Sequence, residues 1–243
     1  MTLTRAFVAF SIWSLALSAP VTAQEAAPPV AAPTAAPAAP AAPTPAIVPA
    51  IVPAEYLNNP EHMLALDLST GGRVVIQLRP DAAPHHVERI KLLARQGFYD
   101  GLIFHRVIEG FMAQGGDPRG TGEGGSSLPD LGAEFNSLPH VRGVLSMARS
   151  DSPDSANSQF FLMLMPRLAL DNHYTAFGRI VSGMEFVDRI QRGEPPASPS
   201  RIVQMSVMAD NRPMPPASSL IERAPAAPSA PVTVDELNAP LNR

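Results

Sequence analysis

The sequence predicts a mainly β domain, built as a closed antiparallel sheet whose openings are covered by two helices. Short apolar runs cut by Gly, Pro and Asp recur between residues 102 and 180, which is typical of short strands. Only two stretches show helical spacing, and no strand–helix alternation of the kind that builds parallel sheets is present. The predicted domain covers residues 60–210, about 150 residues, which is a single-domain length.

The first predicted elements are a hairpin and a helix. The stretch "HMLALDLSTGGRVVIQLRP" alternates apolar residues on both sides of the Gly-Gly pair at 71–72, as a β-hairpin does. In "PHHVERIKLLARQGFYDG", Gly97 is a typical helix stop. Apolar residues precede it at helical spacing: Val87, Ile90 and Leu93 or Ala94.

The remaining elements are short strands and one more helix. A second helix is predicted in "SGMEFVDRIQRG", opened by Ser182 and closed by Gly193, and "RIVQMSVMA" ends the domain as an alternating strand. The other strands are predicted at residues 102–108, 111–114, 143–148, 158–164 and 175–180.

Residues 1–23 resemble a cleavable export signal. Arg5 supplies a positive charge, "AFVAFSIWSLAL" is an apolar run too short to span a bilayer comfortably, and "VTA" ends in a suitable cleavage site at Ala23. We therefore expect a periplasmic or secreted protein without stable membrane insertion after cleavage. The alternative is an uncleaved amphipathic anchor.

Ala- and Pro-rich sequences flank the predicted domain. Residues 24–59 are dominated by Ala and Pro and are expected to form an extended, disordered linker, because proline blocks helix continuation. Residues 211–243 repeat this composition with little apolar periodicity and are expected to be a disordered tail.

Composition excludes several classes of function. The chain has 18 basic and 22 acidic residues and a formal net charge of −4, so neither nucleic acid nor an anionic membrane is expected as a partner. Cysteine is absent, which excludes disulfides, thiol nucleophiles and thiolate metal sites.

Two motifs of other site types are weak. The loop "GTGEGG" at 120–125 has G-x-G-x-x-G spacing, but Pro129 and Gly132 prevent the helix that a dinucleotide site needs, so a flexible surface loop is predicted. His85 and His86 point in different directions on a helix and have no second ligand cluster, so no metal is expected.

Hydrolase chemistry also lacks a motif. No G-x-S-x-G nucleophile elbow is present. Ser146 lies in the strand-like stretch "GVLSMA", where its hydroxyl is expected to satisfy a backbone group.

One arginine stands out in "FHRVIEGFMAQGGD", residues 104–117. Arg106 interrupts an apolar, strand-like run, and a buried cation is costly unless something pairs with it or uses it. A bend at "EG", 109–110, could bring Phe111 and Met112 around one pocket. Two later segments, "NSQFFLML" and "LALDNHYTAFGR", also place polar groups beside aromatic residues. Each segment alone is typical of a core, but together they indicate a site.

These segments, with "GVLSMA", resemble in order the signature motifs of the cyclophilin family of peptidyl-prolyl cis–trans isomerases, over about Met63 to Ala209. The resemblance implies an eight-stranded antiparallel barrel capped by two helices, no cofactor, and action on proline-containing polypeptides; we expect a monomer. It also implies that Arg106 is the catalytic arginine. The residues implied to line the proline pocket are Phe111, Met112, Phe161, Leu170 and Tyr174. Those implied to border the peptide groove are His105, Gln114, Ala148, Arg149 and Gln159.

The chain departs from well-known members of the family at three places. Tyr174 stands where many members have histidine, and its aromatic body should preserve the pocket wall. Ala169 stands where those members have a tryptophan associated with cyclosporin binding, so the resemblance does not carry drug sensitivity over to this chain. The stretch "RSDSPDSANS" is one residue longer, which could reshape the groove rim.

The expected chemistry breaks no bond. Rotation about a peptide C–N bond is opposed by about 18–20 kcal/mol of amide resonance, and a fixed cationic donor aimed at the imide nitrogen would favour the twisted form. Gln114 is the candidate to orient Arg106. We therefore predict an exported prolyl isomerase that assists the folding of secreted or envelope proteins. The alternatives are a binding module or holdase that captures proline segments without turnover, and an Ala/Pro arm that docks onto envelope components.

Overall fold

The computed structural model of the protein describes residues 44–221. Eight strands form one curled sheet in the order β3-β4-β6-β5-β7-β2-β1-β8, and every neighbouring pair is antiparallel. The predicted eight-stranded antiparallel architecture is therefore confirmed. The strands are β1 Met63–Leu68, β2 Gly72–Leu78, β3 Arg106–Ile108, β4 Met112–Gly115, β5 Val144–Met147, β6 Phe160–Met163, β7 Ala176–Ser182 and β8 Ile202–Val207.

The two edge strands, β3 and β8, are joined by the segments that lead into them. An antiparallel bridge pairs Ile103 with Arg201. Beside it, the Phe104 N–H donates to the Ser200 carbonyl at 2.9 Å, and the Ile202 N–H donates to the Leu102 carbonyl at 2.8 Å. The ladder of named strands is open, and these irregular segments connect its edges.

The longest helix, α1, spans Pro84–Arg95 and packs against β8. Its apolar face is buried as predicted, and the chain turns away at Gly97, whose φ of +67° favours glycine. The buried apolar residues of this face are Val87, Ile90, Leu93 and Ala94.

The second predicted helix is real but shorter than the sequence pattern suggested. It is α2, Met184–Asp188, preceded by Gly183 with φ +84°. Ser182 is the last residue of β7 and does not cap the helix, and the helix ends well before Gly193. A side chain at Gly183 would collide with the β2 backbone near Arg73, so the positive φ and the close approach both require glycine here. A one-turn helix, α3, spans Ala217–Leu220.

Two apolar clusters fill the domain. The larger lies between α1 and the sheet and includes Leu66, Ile90 and Phe160. The smaller lies on the β4–β6 side and contains Met112 and Phe161. Partly buried residues packed against this second cluster include Phe111, Ala148, Leu170 and Tyr174. The residues predicted to form the pocket therefore share a small core of their own.

The folded part extends beyond the predicted boundaries at residues 60 and 210. Within the predicted linker, the Ala46 N–H donates to the Phe135 carbonyl at 2.7 Å. The Gln77 amide donates to the Tyr56 carbonyl at 2.9 Å. On the tail side, Leu220 is buried. Residues 44–59 and 211–221 therefore differ from the disordered chain that we predicted, because they satisfy polar groups and cover apolar surface of the domain. The predicted signal, residues 1–23, lies outside the described residues.

Among residues 44–221, no helix is both long and apolar enough to cross a bilayer.

Candidate active site

Arg106 begins β3 and projects from the outer face of the sheet. Its side chain is 47% exposed, whereas Val107, the next residue, is buried. Strand alternation turns position 106 outward and position 107 inward, so the guanidinium avoids the cost of burial that its apolar sequence neighbours raised as a question. The Arg106 Nε donates to the Glu194 Oε2 at 2.6 Å, and Glu194 is also about half exposed. In residues 44–221 no acceptor binds the terminal nitrogens of this guanidinium, so both are available to a ligand.

A cavity of about 200 Å³ opens beside this guanidinium, and we call it the Arg106 pocket. Gly110, with φ +66°, makes the turn that brings Phe111 and Met112 to its wall, as the bend at 109–110 predicted. All five residues predicted to hold a proline ring line this cavity. The lining residues are Arg106, Phe111, Met112, Gln114, Ala148, Arg149, Phe161, Leu170 and Tyr174.

Aromatic and cationic side chains brace the far wall of the Arg106 pocket. The Phe161 and Tyr174 rings meet edge to face, with centroids 5.7 Å apart and an interplanar angle of 81°. The Arg149 guanidinium lies 4.7 Å from the Tyr174 centroid and 5.7 Å from that of Phe135. These contacts hold the wall in one shape, because edge-to-face rings and cation–π pairs are directional.

Gln114 does not play the orienting role that was predicted. It is the register partner of Arg106 across β3 and β4, but its Nε2 donates to the Gln159 Oε1 at 2.9 Å. The Gln159 Nε2 in turn donates to the carbonyls of Gly122 and Gly124. The side chain that holds Arg106 is Glu194, which lies 88 residues away in a loop. No sequence pattern connects the two positions, so Glu194 was missed.

Two further cavities adjoin the Arg106 pocket. One, of about 410 Å³, shares Gln114, Ala148 and Arg149 with it and also includes Gln159, so four of the five predicted groove residues lie along one continuous depression. The other, of about 630 Å³, lies on the opposite side of Arg106 and includes His105.

His105, predicted to border the peptide groove, lines this adjoining cavity together with Arg106 and Gln114. Burial lowers the pKa of its imidazole; Asp117 opposes this shift and Arg106 adds to it. The ring is 5% exposed and neutral at neutral pH. It supports the strand that carries Arg106 and does not line the Arg106 pocket.

The glycine-rich loop closes around an internal carboxylate. Asp117 accepts hydrogen bonds from the backbone N–H groups of Arg119, Thr121 and Gly122 at 2.6–2.9 Å. Burial alone would raise the pKa of Asp117, but these donors and the Gly124 N–H lower it to about 2. The G-x-G-x-x-G segment thus directs backbone N–H groups to Asp117, a carboxylate of the protein itself, and not to a dinucleotide.

The histidine pair and Ser146 have structural partners. His85 and His86 each contact Glu134 through Nδ1 at 2.6 Å, and the described residues contain no cluster of three or more potential metal ligands. Ser146 was expected to bond a backbone group; instead its hydroxyl lies 3.0 Å from the Nε2 of His140.

Comparisons with known proteins agree with this geometry. The family described as "Cyclophilin type peptidyl-prolyl cis-trans isomerase/CLD" matches residues 65–207. A probable peptidyl-prolyl cis-trans isomerase from Brucella suis is 45% identical over 170 residues, covering 63% of this chain and 86% of the relative.

Solved structures give the same assignment. A cyclophilin from Hirschia baltica matches with a TM-score of 0.59 and 30% identity, over 64% of this chain and 77% of that one. A cyclophilin-type isomerase from Cryptosporidium parvum, whose structure was determined in the presence of the dipeptide Ala-Pro, matches with a TM-score of 0.56 and 28% identity. The match covers 60% of this chain and 98% of that one. The chain belongs to the cyclophilin-type peptidyl-prolyl cis–trans isomerases.

Proposed function

We propose that Arg106 catalyses rotation about X–Pro bonds by stabilising the twisted imide, while the Arg106 pocket holds the prolyl ring. The observation that carries this proposal is the position of the guanidinium at the mouth of an aromatic-walled cavity, with its terminal nitrogens free of acceptors among residues 44–221. The Ala-Pro dipeptide of the Cryptosporidium parvum structure supports proline-containing peptides as the substrate class.

The chemistry follows from the loss of amide resonance on twisting. The proline nitrogen then regains a lone pair, and a cationic N–H donor binds this form better than either planar form. Arginine suits the task because it stays charged and presents several donors in one rigid plane. An acceleration of about 10⁵ requires about 7 kcal/mol of differential stabilisation. One charge-assisted hydrogen bond contributes about 1.5–3 kcal/mol, so the pocket must supply the rest.

The pocket contributes by fixing one side of the rotating bond. Phe161 and Met112 are almost fully buried, and Phe111, Leu170 and Tyr174 are partly buried around the opening. A prolyl ring seated among them is held still while the preceding carbonyl turns. Holding the reactant in the reactive geometry lowers the entropic part of the barrier.

Glu194 supports the mechanism by anchoring the Arg106 side chain through Nε, which leaves the terminal nitrogens for the substrate. Because both side chains are about half exposed, the ion pair is worth at most about 1 kcal/mol. We therefore expect Glu194→Ala to lower kcat by roughly two- to fivefold with little change in KM. Glu194→Gln should recover most of the loss, because the amide oxygen still accepts from Nε.

A matched control for this experiment is Glu109→Ala. The Glu109 Oε2 accepts from the Arg192 Nε at 2.6 Å, so it forms a similar ion pair on the neighbouring turn, outside the site. Steady-state kinetics with a short X–Pro peptide should show kcat unchanged in this variant. A Glu194→Ala enzyme as fast as wild type would remove Glu194 from the mechanism.

We propose further that the protein is exported and assists the folding of secreted or envelope proteins. Two features support this proposal: the signal-like residues 1–23, and a proposed mechanism that uses the protein's own side chains and no cofactor. In a Gram-negative cell, fractionation should recover the chain in the periplasm with a new N-terminus near residue 24 by mass spectrometry. Recovery of the full-length chain in the membrane pellet would instead support the uncleaved anchor.

A further inference from the structure

An Asp–His–Ser hydrogen-bond network, with a partly exposed Asp171 and a buried His140 and Ser146, lies directly behind the Arg106 pocket. The Asp171 Oδ1 accepts from the backbone N–H of His140 at 2.7 Å and lies 2.9 Å from its Nδ1. The His140 Nε2 lies 3.0 Å from the Ser146 Oγ. The atoms are arranged as in a serine-hydrolase triad. The isomerase mechanism proposed above makes no use of them.

The arrangement does not make Ser146 a nucleophile. Ser146 lies inside β5, with Phe161 of β6 on one side and Ala176 of β7 on the other. Both Ser146 and His140 have a relative exposure of 0%. A nucleophilic serine has to be reached by its substrate and needs oxyanion donors beside it, as on a nucleophile elbow. A fully buried residue in the middle of a strand meets neither condition.

The same three residues contact the pocket wall. The His140 ring stacks on Phe161, with centroids 6.3 Å apart and an interplanar angle of 24°. It meets Tyr174 edge-on at 6.5 Å. Asp171 immediately follows Leu170, and Ser146 is the cross-strand partner of Phe161. The Asp171–His140–Ser146 hydrogen bonds therefore connect β5, the segment around residue 140 and the loop that carries Leu170 and Tyr174.

Only one hydrogen-bond arrangement satisfies all three side chains when the ring is neutral. Burial lowers the pKa of His140, and Asp171 opposes this only in part, so the ring is neutral at neutral pH. Nδ1–H then donates to Asp171, and Nε2 accepts the Ser146 hydroxyl proton. This fixes both the tautomer and the plane of the ring.

We propose that Asp171, His140 and Ser146 are positioning residues that hold the Phe161 and Tyr174 rings in place and thereby set the affinity of the Arg106 pocket for a prolyl ring. The proposal rests on the proposed function of that pocket. The three residues touch the wall and not the substrate, so their effect should fall on binding more than on the chemical step.

The test replaces Asp171, the acceptor of the network. Asp171→Ala leaves Nδ1–H without a partner and frees the ring plane, so KM for a short Ala-Pro-containing peptide should rise about three- to tenfold with kcat changed less. Asp171→Asn should recover most of the affinity, because its amide oxygen can accept from both N–H groups of His140. Phe161 ring-proton shifts by NMR should move in the alanine variant and return in the asparagine variant.

Glu134→Ala provides the matched control. The Glu134 Oε2 accepts from the backbone N–H of buried His86 at 3.1 Å and lies 2.6 Å from its Nδ1, so it forms the same kind of pair beside α1. This variant should lose thermal stability and keep its KM. Equal KM values in the two alanine variants would overturn the proposal, as would ester hydrolysis by the wild type that is lost in Ser146→Ala.

A second measurement separates this proposal from the proposed function. The dissociation constant of the same peptide, measured by NMR titration, does not depend on turnover. If wild type showed no isomerisation but Asp171→Ala still weakened peptide binding, the isomerase mechanism would fail and the positioning role would stand. If wild type were active and Asp171→Ala bound the peptide normally, only the positioning role would fail.

Discussion

Arg106→Ala should lower kcat/KM for cis–trans conversion of a short X–Pro peptide by about 10²-fold, with most of the loss in kcat. The size of this loss follows from removing one charge-assisted hydrogen bond to the twisted state, and such a bond is worth about 1.5–3 kcal/mol. KM should change little, because the guanidinium stands at the mouth of the pocket and the ring-binding walls remain in place. Exchange NMR on the peptide measures both parameters.

Two further variants, Arg106→Lys and Arg192→Ala, test whether the loss of activity is specific to the guanidinium of Arg106. Lysine keeps the positive charge but loses the planar set of donors and the Nε that Glu194 anchors, so it should restore less than about tenfold of the lost rate. Arg192→Ala removes a comparable arginine that pairs with Glu109, and it should leave kcat intact. Equal rates for wild type and Arg106→Ala would reject the catalytic assignment. They would favour a binding module that captures proline segments without turning them over.

Phe161→Ala should raise KM about tenfold or more, because it removes the ring at the base of the pocket wall. Burying an aromatic side chain against a ligand is worth about 1.5–3 kcal/mol. The same substitution should destabilise the fold by about 3–5 kcal/mol, because Phe161 is 5% exposed and packs on Tyr174 and His140. Phe161→Leu keeps more volume and should show the KM effect in a folded protein.

The control for this prediction is the neighbouring position on the same strand. Phe160 points to the opposite face of β6, is 1% exposed and packs against Tyr99 in the main core. Phe160→Leu should lower the melting temperature to a similar extent and leave KM unchanged. If both leucine variants raised KM equally, loss of stability would explain the effect and the pocket assignment would be wrong.

The sequence predicted the strands and the pocket walls well because their signals are local. Alternation in "HMLALDLSTGGRVVIQLRP" specifies β1 and β2, and the helical spacing of Val87 and Ile90 specifies α1. The pocket residues lie in segments whose order the family resemblance supplied, and the structure places them around one cavity.

What the sequence could not show depends on contacts between distant segments. The Glu194–Arg106 pair spans 88 residues, and the Asp171–His140 pair spans 31. The outward orientation of Arg106 could not be read from its apolar sequence neighbours, because they do not say which face of a strand a residue occupies. The order of residues 44–59 was missed because Ala/Pro composition says nothing about the acceptors that Gln77 and Arg79 need.

The covered edges of the sheet limit how this protein can engage an unfolded chain. On β3, Val107 exchanges backbone hydrogen bonds with Gly193, at 2.8 and 2.9 Å, and the approach to β8 is occupied by residues 101–103. Main-chain groups used in this way cannot recruit an extended polypeptide by β-augmentation. At these positions a proline-containing peptide cannot add a strand to the sheet, so we expect its prolyl side chain, entering the Arg106 pocket, to be what the enzyme recognises.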